Sequence, residues 1–178
     1  MKKILYLIIL ITPILLLTGC DSDTQENSTK PVIKKIESNG EEVKTKNMTQ
    51  MYCTREASAT GIEVNIHYDV FHTDDQLNIV HSVEQVISPD SSKLDTYEKA
   101  YKGIHEHYVG LEYYDAKVER NDTSVTSDIT INYDKIDIDK LISIEGAEDN
   151  VFDGKAPKYS KWLALAKKFG VKCEEVTK

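Results

Sequence analysis

The sequence predicts an α+β domain, an antiparallel sheet with two helices packed on one face, and three observations predict it. Residues 62–70 and 125–133 alternate apolar and polar side chains, the period of a half-buried strand. Two other stretches repeat apolar residues at helical spacing. Turn residues, not helices, join consecutive strands within each half, so regular βαβ alternation is absent and the sheet is antiparallel.

The elements follow in order from about Tyr52. Ile62, Val64, Ile66, Tyr68 and Val70 line one side of the first clear strand, with Glu63, Asn65, His67 and Asp69 on the other. Thr73-Asp74-Asp75 is a hairpin turn, and Leu77 to Ile87 returns as a second strand of less regular alternation. Ser92, with Asp95 three positions on, caps a helix whose stripe is Leu94, Tyr97, Tyr101, Ile104 and Tyr108, and Gly110 ends it. Leu111 to Arg120 and Val125 to Tyr133 form a second hairpin around Asn121-Asp122-Thr123. Residues 134–150 are acidic and irregular, with one helical turn near Leu141. The last helix spans about 158–169, with Trp162, Leu163, Ala166 and Phe169 on one face and Lys167 and Lys168 in its final turn. Val171 to Val176 is a short closing strand.

Ahead of this domain the chain changes character twice. Lys2 and Lys3 precede an apolar run from Ile4 to Leu17, broken only by Thr12 and Pro13. At 1.5 Å per helical residue that run covers roughly 20 Å, short of the ~30 Å hydrocarbon core, so residues 1–19 are an export signal rather than a span. Leu17-Thr18-Gly19-Cys20 resembles the bacterial lipobox, in which the cysteine receives diacylglycerol before cleavage. Cys20 is therefore the expected lipidation site, and the lipid bilayer the first expected partner. Residues 20–50, rich in Ser, Thr, Asn, Lys and Glu, are a lipidated flexible tether in which Val32, Ile33 and Ile36 leave room for a short strand or helical turn, and residues 51–178 a single α+β domain.

Charge narrows the partners further. The chain has 22 basic and 30 acidic residues; removing Lys2 and Lys3, the only charges before Cys20, takes the formal net charge from −8 to −10. That balance excludes nucleic acid, whose phosphates need a basic stripe, and docking on anionic lipid through the protein surface.

From Cys53 to Cys173 the chain resembles the YehR-like family of small bacterial lipoproteins. The residues that carry the resemblance are YEKAYKGI at 97–104, GLEYYD at 110–115 and INYDKIDIDKL at 131–141, with the Trp162 helix and FGVK at 169–172. These are packing and turn motifs. The family has no assigned activity, so the resemblance implies a lipoprotein and transfers no site residue.

No residue pattern announces catalysis. His105 and His107 stand two apart on a helix and so on different faces, and there is no zinc-protease, nucleophile-elbow or phosphate-loop motif. Asp134, Asp137, Asp139, Glu145, Glu148, Asp149 and Asp153 lack the spacing of a calcium loop and are expected on a solvated face. The expectation is no enzyme, no cofactor and no metal ligand. Tyr97, Tyr101, Tyr108, Tyr113 and Tyr114 fall within eighteen residues. Core packing accounts for most of them, and Tyr108, Tyr113 and Tyr114 are the candidates for a binding surface. With Cys20 acylated, Cys53 and Cys173 remain at the two ends of the folded region of an exported chain, and a disulfide between them is expected over two free buried thiols.

The expected function is thus a membrane-anchored lipoprotein outside the cytoplasm, a non-enzymatic module binding an envelope protein or small ligand. Two alternatives stay open: an enzyme with a site assembled from scattered residues, and a purely structural surface lipoprotein.

Overall fold

A computed structural model describes residues 35–146 and 151–177. The export signal, Cys20 and the first part of the expected tether lie outside the described residues, as do Glu148 and Asp149. In chain order the elements are β1 (Glu37–Ser38), β2 (Glu41–Glu42), β3 (Thr49–Ala59), β4 (Ile62–Thr73), β5 (Gln76–Ile87), α1 (Ser91–Glu106), β6 (Tyr114–Arg120), β7 (Ser124–Asn132), α2 (Ile138–Glu145), β8 (Phe152–Asp153), β9 (Ala156–Pro157), α3 (Tyr159–Lys168) and β10 (Lys172–Glu175).

Six strands form one antiparallel sheet in the order β10-β3-β4-β5-β7-β6. Strand parity sorts it into two faces. The inner face carries Val64, Ile66, Tyr68 and Val70 of β4 beside Val80 and Val86 of β5 and Val125, Ile129 and Ile131 of β7, with the helices packed over it. The α+β class stands, but three helices, not two, contribute to this core: Leu94 and Tyr101 from α1, Leu141 from α2, and Trp162 and Ala166 from α3. α2 is the helix beyond the expected two: its apolar stripe sits among aspartates and suggests a single turn, but Asp137 caps a full helix, accepting from Lys140 N.

The other two helices begin differently from expectation. α1 is capped by Asp90, whose carboxylate accepts from Ser92 N at 3.0 Å, two residues before the expected Ser92. It ends at Glu106 rather than Gly110, so Tyr108 lies in the following turn. α3 has no side-chain cap of its own. Asp75, in the β4–β5 turn, supplies it: its carboxylate accepts from Ser160 N and its carbonyl from Tyr159 N, both at 2.9 Å. Stacking of His72 on Tyr159, ring centroids 3.8 Å apart, secures the same junction.

The tether expected through residue 50 is corrected over its described part. Ile36, Val43 and Met48 pack on Phe71 and Ile79 of the outer sheet face, so residues 35–50 form a strap that is part of the folded domain. β1 and β2 form a small hairpin in it, turning at Asn39-Gly40 with φ +54° and +75°, the left-handed pair that a two-residue hairpin loop requires. Asn39 N donates to Asp115 on β6 at 2.8 Å, and Lys135 reaches Glu41. At the other end of the sheet, Cys53 of β3 and Cys173 of β10 face each other across the ladder with their sulfurs bonded.

Ile36→Ala is expected to lower unfolding free energy by about 2–3 kcal/mol, because it empties the centre of the strap contact. Urea titration measures this, and an unchanged midpoint in a chain lacking residues 36–48 would show that the strap is not part of the cooperative unit. Replacing Cys53 and Cys173 together by Ser should cost up to about 4–5 kcal/mol, the loop-closure entropy of a bridge spanning 120 residues.

Candidate functional site

The register of the sheet gathers two rows of polar side chains across β5, one on each face. On the inner face Arg55, Ile66, Glu84, Ser127 and Val118 occupy neighbouring positions on five adjacent strands. α1 lies over this row and supplies its partners: the Tyr101 hydroxyl donates to Glu84 Oε1 at 2.8 Å, and His105 Nε2 and Ser127 Oγ share a hydrogen bond of 3.0 Å. Burial raises Glu84 to about 7, opposed by the Tyr101 hydrogen bond and the charge of Arg55. Half-buried, His105 is held below its ordinary value by that burial.

A serine beside a histidine invites comparison with nucleophilic catalysis, and the geometry answers it. An imidazole acting as base needs a carboxylate to orient it and a nucleophile that substrate can reach. Glu84 gives one oxygen to Tyr101, its other oxygen has no hydrogen-bond partner, and Ser127 is 1% exposed beneath α1. The inner row fastens a helix to a sheet.

The outer row is buried at its centre and half exposed at its flanks. His81 of β5 sits between Asp69 of β4 and Asp128 of β7: Nε2 lies 3.0 Å from Asp128 Oδ1, and Nδ1 lies 3.6 Å from Asp69 Oδ2, within ion-pair range but beyond a hydrogen bond. Gln50, at the end of the strap, donates to the other oxygen of Asp69 at 2.9 Å. Burial disfavours a charged imidazole here, yet the pairing with Asp128 and Asp69 and their negative charge outweigh it and raise His81 to about 9. An imidazolium between two carboxylates is therefore its state at neutral pH. Around it Tyr52, His67, Val83 and Asp128 are half-buried, on a part of the outer face that the strap leaves open. Tyr52 and His67 stack at 6.2 Å, and His67 meets His81 edge-on at 6.3 Å. The result is an aromatic and charged strip across the outer face of the sheet.

The residues singled out from sequence are distributed otherwise. Tyr108 and Tyr114 are removed from the expected binding surface: they are 3% and 9% exposed and stack face to face with centroids 4.1 Å apart. Both arrive on apolar positions of the inner layer, where a large ring gains more by burial than at the surface. Tyr113 alone stays half exposed, under the ammonium of Lys135. Of the acidic stretch, Asp137 caps α2, Asp139 pairs with Lys155, Asp134 accepts from Asn78 and Glu145 is buried. Among the described residues no three His, Cys, Asp or Glu side chains converge as metal ligands, and no helix is long and apolar enough to cross a membrane. His81, Asp69, Asp128 and Glu84 were missed because strand register, not sequence spacing, brings them together.

His81 and Glu84 both bind their protons more tightly folded than unfolded. Their contributions to stability are complete below the unfolded values, near 6.5 and 4.5, and are lost as pH rises through about 9 and about 7 respectively. Urea unfolding is therefore expected to show stability falling from pH 5 to pH 9. His81→Gln should flatten the upper part of that fall and Glu84→Gln the lower, each by a change on the order of 2–3 kcal/mol.

No protein-family model and no curated protein matches the chain. Among solved structures it is similar to the NMR structure of the E. coli YehR protein, with 19% identity and a TM-score of 0.49 over 76% of this chain and 96% of that one. It is also similar to the NMR structure of a protein from Streptococcus pneumoniae, with 14% identity and a TM-score of 0.46 over 88% of this chain and 100% of that one. The first of these is YehR itself, the namesake of the family that the sequence motifs resemble.

Proposed function

We propose that this chain is a bacterial lipoprotein anchored outside the cytoplasm through acylated Cys20, and that its domain is a non-enzymatic module that binds an envelope partner. The observation that carries the anchor is the run from Lys2 to Cys20: two cations, an apolar stretch too short to span, and a lipobox-like end. The Cys53–Cys173 bond supports export, because such a bond persists where thiols are oxidised and is rare in the cytosol. The fourteen residues between Cys20 and the described domain reach at most about 50 Å when fully extended, so the strap keeps the domain near the bilayer. A surface charge of net −10 keeps it off anionic headgroups and leaves the two acyl chains as its hold.

Binding is assigned to the open part of the outer face, where Tyr52, His67, Val83 and Asp128 lie on four adjacent strands. Tyrosine and histidine offer apolar area with a polar edge and lose little side-chain freedom on contact, which suits them to a recognition surface.

Cys20→Ala removes the thiol that accepts the diacylglycerol thioether. The variant is expected in the aqueous phase of a detergent partition, with the native chain in the detergent phase. A processed Cys20→Ala chain that still enters the detergent would overturn the anchor.

A further inference from the structure

The last residue of α2 turns its carboxyl away from water and into a group of three tyrosines. Glu145 is 8% exposed, and the Tyr108 hydroxyl donates to its Oε1 at the long distance of 3.4 Å. Tyr114, stacked on Tyr108, and Tyr133, whose ring meets Phe152 edge-on, complete the box, and the phenols of both feel the charge at Glu145. A carboxylate in this place is disfavoured twice over. Among the described residues it gives up its hydration for one weak hydrogen bond, and it sits at a helix C-terminus, where the terminal carbonyls already present partial negative charge.

The groups facing the carboxyl are the phenols of Tyr108 from the turn after α1, Tyr114 from β6 and Tyr133 from the end of β7. Burial pushes all three far up, so they are neutral wherever Glu145 titrates. Burial likewise raises Glu145 to about 8, opposed by the Tyr108 hydrogen bond. α2 itself is just over two turns long; Leu141 is the one apolar side chain that it buries fully, while Ile138, Ile142 and Ile144 pack half-buried against the core. A two-turn helix held mostly by half-buried contacts opens at a lower free energy than the sheet beneath it.

We propose that α2 is a pH-sensitive latch: with the Glu145 carboxyl protonated it covers Tyr108, Tyr114 and Tyr133, and when that proton passes to water the helix lifts and uncovers them as an aromatic surface. The tyrosines that are core in the closed form thereby become contact residues in the open one, beside Tyr113, which is already half exposed. Closing takes up a proton and opening releases it, so the position of the latch follows external pH directly. The latch does not depend on the lipid anchor.

The test is amide hydrogen exchange of the full chain, disulfide intact, from pH 6 to pH 9 with intrinsic rates corrected for pH. The carboxyl is held above its ordinary value when docked, so docking is strongest below about 4.5 and weakens as pH rises through about 8. Opening of residues 138–145 should increase on the order of a hundred-fold between pH 6 and pH 9 while β4 and β5 stay protected. Glu145→Gln keeps the shape of the neutral carboxyl and should hold the opening constant flat. Tyr108→Phe removes the hydrogen bond that favours the ionised form and should move the transition to higher pH. A flat response in the native chain, or a Gln variant that opens as the native chain does, overturns the latch. Should the Gln variant not fold, the Phe variant decides, and a transition at unchanged or lower pH overturns the proposal.

Discussion

The strand at the centre of the sheet has no wet side over its first half. From Leu77 to Ser82 every residue of β5 is buried, and only from Val83 onward does burial alternate. Helices cover one face and the strap covers the other, so each polar group that β5 carries there needs a partner supplied by another strand. His81 finds two, Asp69 and Asp128, and Asn78 finds Asp134. Further along, on the inner parity, Glu84 has only the hydroxyl of Tyr101 for its two oxygens. The perturbed ionisation on both faces, the placement of α1 and the need for the strap all trace to that one doubly covered strand.

This explains what could be seen in the sequence and what could not. β4 alternates cleanly over its first part because its outer positions there are half exposed, and it was legible residue by residue. β5 is irregular because a strand buried on both faces has no reason to alternate, so its apolar run showed a strand but not which residues share a face. The strap was passed over because Ile36, Val43 and Met48 are scattered singly through polar sequence, at a spacing that matches neither period. Its local signals are Ile36, which leaves room for a short strand, and the Asn39-Gly40 turn, and both gain meaning only from the need of Phe71 and Ile79 for a cover. The cap of α3 has no local signal at all, since Asp75 lies 85 residues before the amide it accepts from.

The candidate site was less legible than the fold, for a different reason. Compartment logic and the position of two cysteines at the ends of the domain bring Cys53 and Cys173 together without any knowledge of register. His81 and Asp128 are 47 residues apart and meet only because β5 and β7 are neighbours, an order that follows from β6 taking the sheet edge. The tyrosines misled for the opposite reason. Their density near residue 110 is a real feature of the chain, but density does not say which way a ring points, and the turn at the end of α1 points Tyr108 inward onto Tyr114.

Buried polar pairs also bear on why α1 sits where it does. Its apolar contacts, chiefly Leu94 and Tyr101 against aliphatic side chains, would change little if the helix slid by one turn, because one apolar neighbour replaces another at similar gain. Hydrogen bonds are not so forgiving. A slide of about 5.4 Å would part Tyr101 from Glu84 and His105 from Ser127 at once, leaving four buried or half-buried polar groups without partners, at roughly 1–3 kcal/mol for each. The pairs lie one helical turn apart on α1 and on adjacent strands of the sheet, so together they fix both the height of the helix and its direction across β5 and β7. Such pairs add less to stability than apolar side chains of the same size would, and the upward push of burial on the Glu84 carboxyl reflects that cost. What they contribute is a single register, and with it the position of the Tyr108 turn that ends α1 and meets α2.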